Sequence, residues 1–237
     1  MIPSTGVIIP SAGKGSRMDS KLPKQMLQVG SMTILAHTIT RMLQVESVRQ
    51  LVIPVSDDLA GDVAEIAEKC LESAGKTGEV DFRMTSGGRE RMHSVGNGLH
   101  ELEQTDVELV MVHDAVRPCF PLASVNQALQ VANEEGAAIL AVPARDTVKL
   151  VNEIGQITAT TDRNRVWLAQ TPQIFRINLL MDAFQKAEQS GFIATDDASL
   201  AEYAGYPVHV VEGSQENIKV TYPSDLIFIE NWLKKNR

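Results

Sequence analysis

Short runs of β-branched residues alternate along the chain with longer segments whose apolar positions recur every three or four residues. This is the pattern of buried strands followed by amphipathic helices. Val7-Ile8-Ile9 comes first, and then the stretch 33–45, where Ile34, Leu35, Ile39, Met42 and Leu43 share one helical face. The same βα spacing repeats as a strand over 51–55 and a helix over 58–71, then a strand over 80–84 and a helix over 92–102. Two further strands, 109–112 and 139–142, bracket a helix over 124–135 that should stop at Gly136, a residue type suited to a helix end.

The alternation fails between Pro143 and Trp167. Residues 147–151 and 157–161 read as two strands about Glu153-Ile154-Gly155-Gln156, a hairpin with a glycine in its turn. No helix follows to cover it, so it should project as an arm. Helices over 177–190, 198–203 and 223–235 and a strand over 208–211 complete the chain. The expected architecture is α/β, a doubly wound and mostly parallel sheet. It forms one domain over 1–237 with a β-hairpin arm inserted at about 143–167.

Composition narrows the class of ligand. With 237 residues, 43% apolar and 22% charged, the chain has material for one substantial core. A net charge of −8 argues against nucleic acid or an anionic membrane surface as partner, so an anionic ligand must meet a local cationic site. Cys70 and Cys119 have no C-x-x-C spacing, which suggests neither zinc nor a disulfide framework and fits a reducing cytoplasm. Nothing resembles an export signal or the roughly 20 apolar residues of a membrane span, so a cytoplasmic protein is expected.

The first strand runs into Pro10-Ser11-Ala12-Gly13-Lys14-Gly15-Ser16-Arg17-Met18, small residues that let backbone amides approach an anion. It is neither a dinucleotide fingerprint nor a Walker A loop, because Met18, Ile8 and Gly15 stand where those motifs need other residues. Lys14, Arg17, Lys21 and Lys24, opposed by Asp19 alone, give the segment a local charge of +3 and make it a candidate triphosphate cradle. The alternative is a tight turn with solvated cations. Asp114, after the strand 109–112, is placed either to hold Mg²⁺ or to cap a helix or pair with Arg117. Gly87-Gly88-Arg89-Glu90-Arg91 reads as a turn or a wall for a nucleobase, and Asp162-Arg163-Asn164 as solvated charge. Thr195-Asp196-Asp197 reads as a helix cap, and 217–220 as an edge strand with Lys219 exposed. His113 could orient Asp114. The other four histidines fall within helices or a strand, and Cys70 lies on an apolar helix face with Val63, Ile66 and Ala67.

These segments, with Pro23-Lys24-Gln25, Arg145-Asp146-Thr147, Thr171-Pro172-Gln173 and Asn217-Ile218-Lys219-Val220-Thr221, follow the order found in one enzyme family. The chain resembles the 2-C-methyl-D-erythritol 4-phosphate cytidylyltransferases over nearly its whole length. The resemblance implies a Rossmann-like fold whose arm embraces a second copy, and a reaction between CTP and a polyol phosphate that releases pyrophosphate. It implies that Ala12, Gly13 and Gly15 cradle the triphosphate, with Arg17, Lys24 and Lys219 neutralising charge at the α-phosphate. Gly88 and Ser94 would hold cytosine, Ala115 the ribose and Asp114 the magnesium. Arg117, Thr147, Arg163, Thr171, Thr195 and Lys219 would grip the methylerythritol phosphate. Ser11, Arg89 and Val116 depart from the family's pattern. Two rivals are a ribitol-5-phosphate cytidylyltransferase, against which Asp162-Arg163-Asn164 and Trp167 argue, and a non-catalytic nucleotide-binding module.

Overall fold

Alternating side chains on the central strands decide the layering, since successive residues of a strand face opposite sides of its sheet. On β1 (Thr5–Ile8), Val7 joins the core on one face and Ile8 the core on the other; on β6 (Leu109–Val112), Leu109 and Met111 go one way and Val110 and Val112 the other. Both faces are therefore buried, as a sheet built from βαβ crossovers requires. The computed structural model describes residues 2–13 and 22–236.

The other strands are β2 (Gln28–Val29), β3 (Met32–Thr33), β4 (Val48–Val55), β5 (Asp81–Ser86), β7 (Ala137–Pro143), β8 (Lys149–Val151), β9 (Ile157–Thr160), β10 (Trp167–Arg176) and β11 (His209–Glu212). The helices are α1 (Ile34–Met42), α2 (Ala60–Ser73), α3 (Arg91–Glu103), α4 (Leu122–Glu135), α5 (Ile177–Ser190), α6 (Asp197–Tyr203) and α7 (Pro223–Lys235). Among the described residues the main sheet has seven strands in the order β11-β7-β10-β6-β1-β4-β5. Helices α1, α2 and α4 cover one face, and α3, α5 and α6 the other. A third cluster packs Ile229 and Trp232 of α7 against Val29, Ile34, Cys119 and Val220.

The doubly wound, mostly parallel architecture is as expected, and so is the stop of α4 at Gly136, whose φ of 97° suits glycine. Two details differ. Trp167–Arg176 forms a ten-residue strand, antiparallel to both β6 and β7, that the apolar pattern does not announce. Residues 217–220 form no strand; the Val220 amide donates to the Val116 carbonyl at 3.0 Å and ties this strap to the segment after β6.

β7 and β10 are antiparallel neighbours, paired from Trp167↔Pro143 inward, so the chain between them is the far end of a long hairpin. There β8 and β9 form their own two-stranded sheet, with every residue from 149 to 160 exposed. The arm is thus a separate two-stranded hairpin carried between β7 and β10, beyond the end of their pairing at Trp167↔Pro143.

Helix α3 presses on β1 through Gly98, where an added Cβ would lie 2.7 Å from Cγ2 of the fully buried Ile8. Gly98→Val should cost about 2–3 kcal/mol by overpacking. Gly61→Ala on α2, with open space around it, should add about 0.5–1 kcal/mol through helix propensity. Urea denaturation of both variants checks the pair of signs.

Candidate active site

From β1 the chain winds one way, through α1 to β4 and on to β5, before β6 returns to the other side of β1. A crevice opens at such a reversal, at the carboxyl ends of the strands, and is where open α/β sheets take ligands. A cleft of about 460 Å³ lies there, lined by Ser11, Ala12 and Gly13 after β1, by Lys24 and Gln25, by Gly88, Arg89, Glu90, Arg91 and Ser94 around the start of α3, and by Asp114, Ala115, Val116 and Lys219.

One wall depends on missing side chains. A Cβ on Gly87 would fall 2.2 Å from Cβ of Ala12, so the turn after β5 and the loop after β1 meet at a distance only glycine allows. A Cβ on Gly88 would lie 2.3 Å from Cβ of His93. With no side chain there, the Gly88 amide donates to Ser94 Oγ at 2.9 Å and holds the backbone of the turn against that hydroxyl.

The floor is a charge cluster. Asp114 is 8% exposed; its Oδ1 lies 3.3 Å from Arg91 Nε, and its Oδ2 lies 3.1 Å from Arg117 Nε and 3.0 Å from Lys219 Nζ. Burial alone would raise the Asp114 pKa, but Arg91, Lys219 and Arg117 together outweigh it and hold the carboxyl well below the usual carboxylate range. The group is an anion at any working pH.

Each arginine is fixed from behind. Arg91 Nη1 meets the buried Asp197 at the start of α6 at 2.9 Å. Burial works against the Arg91 charge, and Asp197 and Asp114 more than offset it, raising its pKa. Arg117 Nη1 donates to the Asn217 carbonyl at 2.8 Å. Asn217 is itself fully buried, and its Nδ2 donates to the Thr171 carbonyl at 2.9 Å and to Gln170 Oε1 at 3.2 Å. The Asp114 amide donates to Thr171 Oγ1 at 3.0 Å, so β10 supports the floor directly.

The arrangement presents a buried carboxylate, several cations and a backbone wall to one space, which suits an anionic nucleotide. Comparison with known proteins gives the class. A 2-C-methyl-D-erythritol 4-phosphate cytidylyltransferase of Syntrophus aciditrophicus is 44% identical over 237 residues, covering 99% of this chain and 98% of the relative. One of Desulforamulus reducens is 41% identical, covering 96% and 95%. The crystal structure of a 4-diphosphocytidyl-2C-methyl-D-erythritol synthase from Anaerococcus prevotii superposes with a TM-score of 0.84 at 28% identity, covering 99% of this chain and all of that one. The family model for 2-C-methyl-D-erythritol 4-phosphate cytidylyltransferase matches residues 5–235. The chain belongs to that family.

Of the residues expected in the site of this cytidylyltransferase, Ala12, Gly13, Lys24, Gly88, Ser94, Asp114, Ala115 and Lys219 line the one cleft. Arg117 and Thr171 touch Asp114 from outside the lining. Thr147 and Arg163 are exposed on the arm segment, where Arg163 Nη1 donates to the Arg145 carbonyl at 3.0 Å. Thr195 is exposed one residue before Asp196, which caps α6 as expected by accepting from the Ser199 amide. Gly15 and Arg17, like Lys14 and Lys21, lie outside the described residues. The charge pairing of Asp114 with Arg117 is present, and Arg91 and Lys219 extend it. Arg91 and Asp197 stand in two of the quoted motifs, but nothing in the sequence joins them, since their link spans 106 residues and has no local signature.

His113 bonds Arg117, a partner of Asp114, and not the Asp114 carboxylate itself. Its Nε2–H donates to the Arg117 carbonyl at 3.0 Å, and the ring packs edge-on to Phe120, with centroids 4.6 Å apart. Burial pushes its pKa down to about 4, so the ring is neutral in the folded protein at neutral pH. Between about pH 6.5 and pH 4 the unfolded chain therefore takes up a proton that the folded one refuses, and stability falls as pH falls through that window. The full effect is on the order of 3 kcal/mol. His113→Gln should flatten this part of the stability-against-pH curve, measured by denaturant titration at a series of pH values.

Proposed function

We propose that this cleft joins CTP to 2-C-methyl-D-erythritol 4-phosphate as follows. The phosphate oxygen of the methylerythritol substrate attacks the α-phosphorus of CTP, the new O–P bond forms, the bond from the α-phosphorus to the bridging oxygen breaks, and pyrophosphate leaves. The attacking phosphate is already an anion at neutral pH, so no general base is needed; the enzyme must hold two anions together and offset their repulsion. The observation that carries this reading is the grouping of Arg91, Arg117 and Lys219 on one buried carboxylate, beside Lys24 and the glycine-bearing wall.

In this reading the amides of Ala12 and Gly13, with Gly15, receive the triphosphate, and Arg17, Lys24 and Lys219 stabilise charge developing at the α-phosphate. Cytosine lies against Gly88 and Ser94, and the ribose against Ala115. Arg117, Thr147, Thr171, Thr195, Lys219 and Arg163 bind the polyol phosphate.

Asp114 is the residue to hold Mg²⁺. It is an ionised, cleft-lining carboxylate. That fits Mg²⁺, which commonly takes one or two carboxylates and completes its shell with substrate phosphates and water. The bound ion would neutralise phosphate charge. Lys219, whose side chain is 43% exposed, is the cation best able to leave Asp114 for a substrate phosphate.

With CTP and Mg²⁺ supplied, methylerythritol phosphate should release pyrophosphate far faster than ribitol 5-phosphate does. Faster release with ribitol phosphate, or with ATP in place of CTP, would overturn the assignment, and no release with either would leave a binding module.

The working unit proposed is a cytoplasmic homodimer joined through the arm. Leu150, Val151, Ile154 and Ile157 of the arm are 54–78% exposed, and a lone hairpin with such edges needs a partner surface. A second copy is the simplest partner. Arg163, at the base of the arm, would then serve the partner's cleft. Lys24→Ala and Arg163→Ala proteins, each nearly inactive, should regain about a quarter of normal activity after subunit exchange: about half the dimers are mixed, each with one intact site of two. Demonstrated exchange without recovery would confine Arg163 to its own subunit or remove it from the site.

A further inference from the structure

We infer that Gln25 is a positioning residue for the nucleotide: its side-chain amide sets the direction of the backbone amides that line the cleft after β1. The inference rests on the reading that this backbone meets CTP.

Gln25 is 4% exposed, and its Nε2 donates both to the Ser11 carbonyl and, at 3.3 Å, to the Gly13 carbonyl. A primary amide has two hydrogens, so one nitrogen can serve both acceptors. In a planar trans peptide the N–H points opposite to the C=O. Pulling the Ser11 carbonyl toward Gln25 therefore turns the Ala12 N–H away from it. Without that donor the peptide loses the bond that holds it, and its carbonyl becomes free to rotate toward the incoming phosphates, where it would repel them.

Gln25 also joins two parts of the site. It follows Lys24 in the turn Lys24–Met26, which is closed by the Leu27 amide donating to the Lys24 carbonyl at 3.1 Å and braced on α1 by the Ile34 amide donating to the Leu27 carbonyl at 2.9 Å. Through Gln25 the backbone after β1 is tied to the turn that carries Lys24, another residue of the cleft lining. An ionised glutamate cannot replace it, since it would set an anion against two carbonyl oxygens.

The test compares wild type, Gln25→Leu and Gln25→Glu by calorimetric titration with CTP, by steady-state kinetics with each substrate, and by thermal unfolding. Gln25→Leu should weaken CTP binding by about tenfold or more, as loss of well-directed amide contacts does. The KM for methylerythritol phosphate should stay within about twofold. In Gln25→Glu the CTP defect should shrink between about pH 8 and pH 6 as the buried carboxyl gains a proton it can donate, while the Gln25→Leu defect does not change. CTP affinity of folded Gln25→Leu within about twofold of wild type, or equal losses for both substrates, would overturn the inference. If thermal unfolding shows Gln25→Leu unfolded, the pH dependence of Gln25→Glu decides, and a pH-independent defect there overturns it. Wild-type protein that fails to bind CTP would instead overturn the underlying reading.

Discussion

The neutralisation of one buried carboxylate organises this molecule. Asp114, 8% exposed at the floor of the cleft, is largely withdrawn from water, and a charge so buried survives only with partners. Those partners come from α3, from the turn after β6 and from the strap before α7, segments far apart in the chain. Removing Asp114 would leave three cations facing one another, so the attraction that closes the fold over the cleft also assembles the charge an anionic substrate meets. The positive groups cost nothing further to gather when the substrate arrives, which is what preorganisation means physically.

The second constraint is the reversed strand β10. Its residues near the cleft, Gln170, Thr171 and Gln173, are polar yet buried, and the structure gives them partners: Gln170 bonds Ser214 and Asn217, Thr171 receives the Asp114 amide, and Gln173 bonds Asp196 and the Ala198 amide. A strand that carries such groups through the middle of a sheet ties the floor of the site to α6 and to the strap. Because it runs against β7, it also creates the hairpin from which the arm springs.

These two features explain what could and could not be read from the chain. Helices such as Ile177–Ser190 and Pro223–Lys235 were legible to the residue, because an apolar face against solvent leaves a period of 3.6 and glycine or proline marks the ends. β10 was not, since Trp167-Leu168-Ala169-Gln170-Thr171-Pro172-Gln173 mixes a proline and buried polar groups and so shows neither period. In the site, the glycine loop, Lys24, Gly88 and Asp114 could be found because each stands at a strand end or in a short motif. Arg91 and Asp197 could not be assigned, because their significance lies in a contact between the starts of two helices 106 residues apart in the chain. The segment 217–220 misled by its β-branched residues; its backbone groups bond Arg117, Val116, Ser214 and Glu216 and form no strand ladder.

Both thiols of the chain are sealed in apolar packing. Burial raises the Cys70 thiol and pushes Cys119 up to about 12, so neither supplies the thiolate on which alkylation and oxidation depend. The native protein is in effect cysteine-free to a labelling reagent. A cysteine substituted at the exposed tip of the arm, such as Ile154→Cys, would carry the chain's one reactive sulfur, and a dye or spin label attached there would report distances from the arm without any prior mutation of the core.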